Sequence, residues 1–330
     1  MSDNASTQWS NPVGVPAAKR VMQQVDRLFA DNQLDKALDL LQSAWPGLPS
    51  DRVHNSRIEA VLIRAVLQAR LGQFEAALAT VRALLHCNVS LNLNSLTFES
   101  LRTLDGYAEL AKQNSELLTR ERAEAHVRWE ASKPDDPVPN RPAPLMLVLH
   151  GDPGNLHKIR TMWPHDPATD RGALVAYVQS SQLLSTTRYM WSADPAIAWS
   201  DLQAAYEEIC SRYAVDESRV ILAGFSSGAT MALDLAFGQG LPAAGFIGLC
   251  PGEVPAHFDH EQIIAARDRG MRGVFLDSED NWPDDDQREL MDSLRGAGFP
   301  IEVILHAGAP HDAPPNFADR LRDALGSVLQ

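Results

Sequence analysis

From about residue 15 to residue 132 the apolar positions recur at helical spacing. Val21, Val25, Leu28 and Phe29 share one face, and Leu34, Ala37, Leu38 and Leu41 continue it. No alternating, strand-like run interrupts this half, so it is predicted to be all helical. It also repeats itself: Gln33-Leu34-Asp35-Lys36-Ala37-Leu38 matches Gln73-Phe74-Glu75-Ala76-Ala77-Leu78, 40 residues on. Each copy follows one helix and opens another. Gly72 suits the tight turn between them, and the small Ala37 and Ala77 let paired helices approach closely.

The pattern changes at Lys133. Prolines at 134, 137, 139 and 142 cannot continue a helix and predict a stiff, extended linker over 133–142. Beyond it, short continuous apolar runs (145–149, 173–178, 220–223, 245–249, 273–276 and 301–305) alternate with helical stretches near 200–213, 227–238, 258–268, 285–297 and 315–329. Apolar strands separated by helices imply a mostly parallel sheet covered on both faces. The expected organisation is a helical domain over 1–132, the linker, and an α/β domain over 143–330.

Composition narrows the function. The chain is 45% hydrophobic and 22% charged, which suits a globular protein, and its formal net charge is -14. That sign disfavours nucleic acid and anionic membranes as partners. Cys87, Cys210 and Cys250 are too few and too scattered for a disulfide framework or a zinc site, so they read as buried small hydrophobes. The first ten residues lack the basic and apolar regions of a secretory signal, and no window approaches a membrane span. A cytoplasmic location is the expectation.

The candidate chemistry lies in the second half. The run Val220-Ile221-Leu222-Ala223 leads into Gly224-Phe225-Ser226-Ser227-Gly228, and a helical segment follows. A serine at a sharp strand-to-helix corner needs glycine two residues away on either side, and the helix behind it aims amides at a developing oxyanion. Upstream, the strand 145–149 ends in His150-Gly151-Asp152-Pro153-Gly154, a loop suited to the second oxyanion donor. The backbone amides of Asp152 and Ser227 are the expected pair. A base is expected after the last strand. His311 leaves in a loop, whereas His306 sits at the strand end, which favours His311. The orienting acid is expected after the preceding strand, where Asp277 and Asp280 both qualify; the order Ser226, Asp280, His311 fits a catalytic triad. His257-Phe258-Asp259-His260-Glu261 reads as solvated loop rather than a metal site.

These residues carry two resemblances. The repeat in the first half resembles tetratricopeptide repeats, with the insert 45–50 accounting for its longer period; a plain helical bundle is the alternative. Residues 143–330 resemble the α/β-hydrolases, in the branch of phospholipase/carboxylesterases and polyhydroxybutyrate-depolymerase-like enzymes. The matching features are His150-Gly151, Val178-Gln179-Ser180-Ser181-Gln182, the Ser226 pentapeptide, Cys250-Pro251-Gly252, Asp280-Asn281-Trp282 and Gly308-Ala309-Pro310-His311. The first glycine of the branch's Gly-Glu-x-Asp segment is replaced in Asp277-Ser278-Glu279-Asp280. The resemblance implies a serine esterase that needs no cofactor or metal and acts on a small-molecule ester. Rivals are a peptidase or amidase on the same fold, and an interaction protein with a vestigial hydrolase domain. The helical half is expected to shape the pocket, with homo-oligomer formation as its alternative role.

Overall fold

The computed structural model describes residues 15–45, 55–135, 141–307 and 311–329. The chain start, the insert at 46–50, positions 136–140 of the linker and residues 308–310 of the histidine loop lie outside the described residues. The chain forms two compact units, one of residues 1–124 with 184–187, the other of residues 125–183 with 188–330.

The first unit is built from helix pairs. Helices α1 (Val15–Ala30) and α2 (Leu34–Ala44) form one pair, and α3 (Asn55–Arg70) and α4 (Phe74–His86) another. The sequence repeat falls on equivalent turns. Asn32 and Gly72 both have left-handed φ (55° and 73°), and the next amide closes each turn, Gln33 N–H donating to Leu28 O and Gln73 N–H to Gln68 O. Ala37 and Ala77 are both fully buried, as close pairing of helices requires. A 3₁₀ segment (Leu96–Thr103) and α5 (Tyr107–Glu124) complete the unit. Asn114 on α5 buries its amide and pairs it with the backbone of Leu91, accepting from the N–H at 2.8 Å and donating to the carbonyl at 2.9 Å.

The second unit is a seven-stranded sheet. Its strands are β1 (Arg128–Ser132), β2 (Ala143–Leu149), β3 (Leu174–Gln179), β4 (Val215–Phe225), β5 (Gly245–Leu249), β6 (Arg272–Ser278) and β7 (Ile301–His306), in spatial order β1-β3-β2-β4-β5-β6-β7. All neighbouring pairs are parallel except β1 with β3. Helices α8 (Pro195–Arg212), α9 (Ser227–Phe237), α10 (His260–Asp268) and α11 (Asp285–Gly296) pack on one face; α6 (Leu156–Met162), α7 (Asp166–Thr169) and α12 (Phe317–Val328) pack on the other. Alternate strand residues feed alternate cores. Leu145, Leu147 and Leu149 join the first, and Met146 and Val148 the second. The runs are therefore apolar throughout, each large buried side chain contributing about 1.5–3 kcal/mol.

Strand β1 departs from the sequence expectation. Residues 125–132 belong to the sheet unit, and the break falls at Glu124 rather than at the prolines. Val127, Trp129 and Ala131 pack on the core while Arg128 and Glu130 face outward, an alternation present in the sequence but only five residues long. Among the described residues no helix is long and apolar enough to cross a membrane.

Candidate active site

Strand β4 runs straight into Ser226, which takes φ 55° and ψ −126° before α9 begins at Ser227. That left-handed backbone costs a non-glycine residue on the order of 1–3 kcal/mol, and the surroundings enforce it. Ser226 N–H donates to Leu249 O at 2.9 Å, and Ser226 O accepts from Ala229 N–H at 2.8 Å. A Cβ at Gly224 would stand 2.4 Å from the carbonyl of Gly228, and one at Gly228 would stand 2.3 Å from His150 O. Both glycines are thus required by backbone packed on backbone, and the second contact ties the serine corner to the loop leaving β2.

His311, in the loop between β7 and α12, places Nε2 3.0 Å from Ser226 Oγ. Its ring lies 5.0 Å from that of Phe225, tilted by 47°, and its own backbone is left-handed at φ 56°. His306, the last residue of β7, is buried, and its Nε2 has no hydrogen-bond partner among the described residues.

The two candidate acids differ sharply. Asp277 is fully buried at the end of β6. Its Oδ1 accepts from Ser278 N–H (2.7 Å) and Asn281 Nδ2 (3.0 Å), and its Oδ2 from Gln287 Nε2 (2.8 Å). Burial, reinforced by the Asp277 charge, pushes the neighbouring Cys250 thiol well up, so it stays protonated. Asp280 is exposed, and among the described residues no carboxylate hydrogen-bonds to His311. The turn carrying Asp280 is pinned beside β7, since Glu279 N–H donates to His306 O at 2.9 Å.

The loop 150–155 is held from several sides. His150 is buried, and burial pushes its pKa down to about 4, so the ring is neutral near pH 7. Its tautomer follows from its partners. Ser180 N–H donates to Nε2 (3.3 Å), leaving Nδ1–H for Gly151 O (2.9 Å). The ring stacks on Trp191, whose Nε1–H donates to His150 O at 2.9 Å. The Asp152 carboxylate accepts from Trp191 N–H (2.8 Å) and Ser192 N–H (2.9 Å). Gly154 and Tyr189 exchange backbone hydrogen bonds of 3.0 and 2.8 Å. Asp201 on α8 accepts from Ser181 N–H at 2.7 Å. Among the described residues the Asp152 and Ser227 amides have no acceptor.

The sequence points to Asp152 for its amide but gives no sign of what its carboxylate holds. Trp191 is fully buried, and Trp199 donates Nε1–H to the buried Asp234 at 2.6 Å. His257 also binds Asp234, and Asp259 caps α10.

No family model and no curated protein matches the chain. Its fold is similar to that of an uncharacterized protein from Bacillus cereus ATCC 10987. That likeness is at 18% identity and TM-score 0.51, and it covers 94% of this chain and 97% of that one. Esterase PE8 is similar at 16% identity and TM-score 0.48, covering 62% of this chain and 99% of its own. The Bacillus cereus carboxylesterase is similar at 17% and 0.46, covering 64% and 98%. With its sheet order and strand-to-helix serine, the chain has the α/β-hydrolase fold.

Proposed function

We propose that this protein is a serine hydrolase of carboxylic esters, with Ser226 as nucleophile and His311 as general base. The observation that carries the reading is the 3.0 Å approach of His311 Nε2 to Ser226 Oγ at a sterically fixed strand-to-helix corner. In this mechanism His311 takes the Ser226 proton as Oγ attacks the ester carbonyl. The Asp152 and Ser227 amides receive the oxyanion, and Ser227 N–H, the first of α9, has the helix dipole behind it. His311 then protonates the leaving alcohol, and a water activated by the same imidazole releases the acyl group.

Asp280 is the acid we assign to His311. Asp277 has its lone pairs committed to three donors, whereas Asp280 has no hydrogen-bond partner among the described residues and lies on the turn beside the strand that feeds the histidine loop. Catalytic hydrogen bonds commonly tighten only when substrate binds.

The test is labelling with a fluorophosphonate, followed by kinetics on p-nitrophenyl esters of rising chain length beside aminoacyl anilides. Labelling at Ser226 and turnover of esters are expected, and Ser226→Ala should lower kcat by roughly 10⁶. Undiminished ester turnover by purified Ser226→Ala would overturn the assignment, and faster turnover of the anilides would make it an amidase.

A further inference from the structure

Glu121, near the end of α5, accepts two hydroxyl hydrogen bonds, from Ser90 Oγ to Oε2 and from Thr186 Oγ1 to Oε1 (2.7 Å). The same hydroxyl oxygens accept a crossed pair of backbone amides, Thr186 N–H to Ser90 Oγ (2.9 Å) and Ser90 N–H to Thr186 Oγ1 (2.7 Å). The two hydroxyls also lie 3.1 Å apart. Each takes an amide hydrogen and can send its own to a Glu121 oxygen at shorter range, so one carboxylate serves both. Ser90 is fully buried within it. Thr187 adds a hydroxyl bond to Glu59 Oε1 at 2.9 Å.

Residues 184–187, though they lie between β3 and α8, belong by their contacts to the helical unit. The chain that leaves them goes directly to the loop 150–155. Three residues after Thr186, Tyr189 exchanges both backbone hydrogen bonds with Gly154. Trp191 and Ser192 then place their amides on the Asp152 carboxylate, and the Trp191 indole holds His150 O. From Thr186 to Tyr189 the chain reaches at most about 10 Å. The base of the excursion is closed independently by Met190 N–H on Gln182 O at 3.0 Å.

We infer that Glu121 and Thr186 are positioning residues for the proposed oxyanion loop: their hydroxyl–carboxylate ring anchors the segment 186–192, whose other end fixes Asp152 and Gly154. The inference rests on the reading of residues 150–155 as the oxyanion loop. Glu121 is assigned no contact with substrate; its effect on the rate runs through Thr186 and the chain that follows it.

The experiment compares Thr186→Val, Thr186→Ser and Glu121→Gln in the full chain. Val removes the hydroxyl at nearly the same volume, Ser restores it, and Gln leaves one hydroxyl without its acceptor. Loss of one oxyanion donor costs about 10²–10³ in kcat, and displacing it costs less. The expected result for Thr186→Val and Glu121→Gln is a ten- to hundredfold fall in kcat and in the rate of fluorophosphonate labelling, with KM within twofold. Thr186→Ser should stay near wild type, and thermal unfolding will show that the variants compared are folded. If Thr186→Val and Thr186→Ser both label and turn over at the wild-type rate, the closed base alone holds the loop and the inference is overturned. Should wild type itself fail to label at Ser226, the proposed reaction fails instead.

Discussion

Around Ser226 the backbone leaves no room for choice. Gly224 and Gly228 are pressed against neighbouring main chain, and the Ser226 amide is spent on Leu249. On the opposite side of the site the arrangement is looser. His311 is exposed in a loop, and Asp280 is an exposed carboxylate on a turn held to β7 by one backbone hydrogen bond. The proposed nucleophile is thus held by steric exclusion, and the proposed base and acid by loop placement. A sterically held group has the same geometry before and after substrate arrives. A loop-held pair can complete itself on binding, at the cost of ordering then.

The most severe way to break this contrast is at the corner. Gly228→Ala puts a Cβ 2.3 Å from His150 O and within 2.9 Å of the Leu149 carbonyl, against main chain rather than a flexible side chain. Labelling at Ser226 should fall to background, and denaturant unfolding should show a loss of about 3 kcal/mol or more. A variant that labels normally would mean that the corner is more compliant than its packing implies.

The acid side should separate function from stability. Asp280→Asn is expected to lower kcat, by up to roughly 10⁴ if His311 depends on it for its tautomer, with little change in unfolding. Asp277→Asn should do the reverse. Its amide turns a donor toward a donor, Asn281, Ser278 or Gln287, and an unsatisfied buried group costs about 1–3 kcal/mol. The opposite ranking in kcat would transfer the acid role to Asp277.

A smaller effect belongs to His150. Its folded pKa, about 4, lies below the ordinary 6.5, so the unfolded chain takes up the proton first. Stability is therefore intact above about pH 6.5 and is lost as pH falls toward 4, to a limit of about 3 kcal/mol. Urea midpoints at pH 7.5 and 5 should differ more for wild type than for His150→Gln; equal differences would mean that the ring is protonated inside the fold.

What could be read from the sequence follows the same division. Gly224 and Gly228 are legible because a steric requirement admits one residue type, and they bracket Ser226; the strands are legible because burial on both faces makes them apolar throughout. Asn32 shows the limit of such reading. It does at its turn what Gly72 does forty residues later, yet only the glycine announces itself. The choice between Asp277 and Asp280 depends on which carboxylate is already engaged, and Gln287, ten residues further on, decides that for Asp277. Nothing local in sequence ties Glu121 to Thr186, because their pairing is made by the fold.

Strand β1 bears on how the protein can be handled in the laboratory. Its pairing covers five of the six residues of β3, from Arg128 opposite Gln179 to Ser132 opposite Val175. β3 reads Leu-Val-Ala-Tyr-Val-Gln and is buried at every position. A chain shortened at the prolines would lose β1 and bare a five-residue ladder with no charge and no proline, the kind of edge on which strands from other molecules stack. A cut just before Ala125 keeps the border strand, with Arg128 and Glu130 on its outer side. Eight residues at the truncation point would then decide between a soluble sheet and an aggregating one.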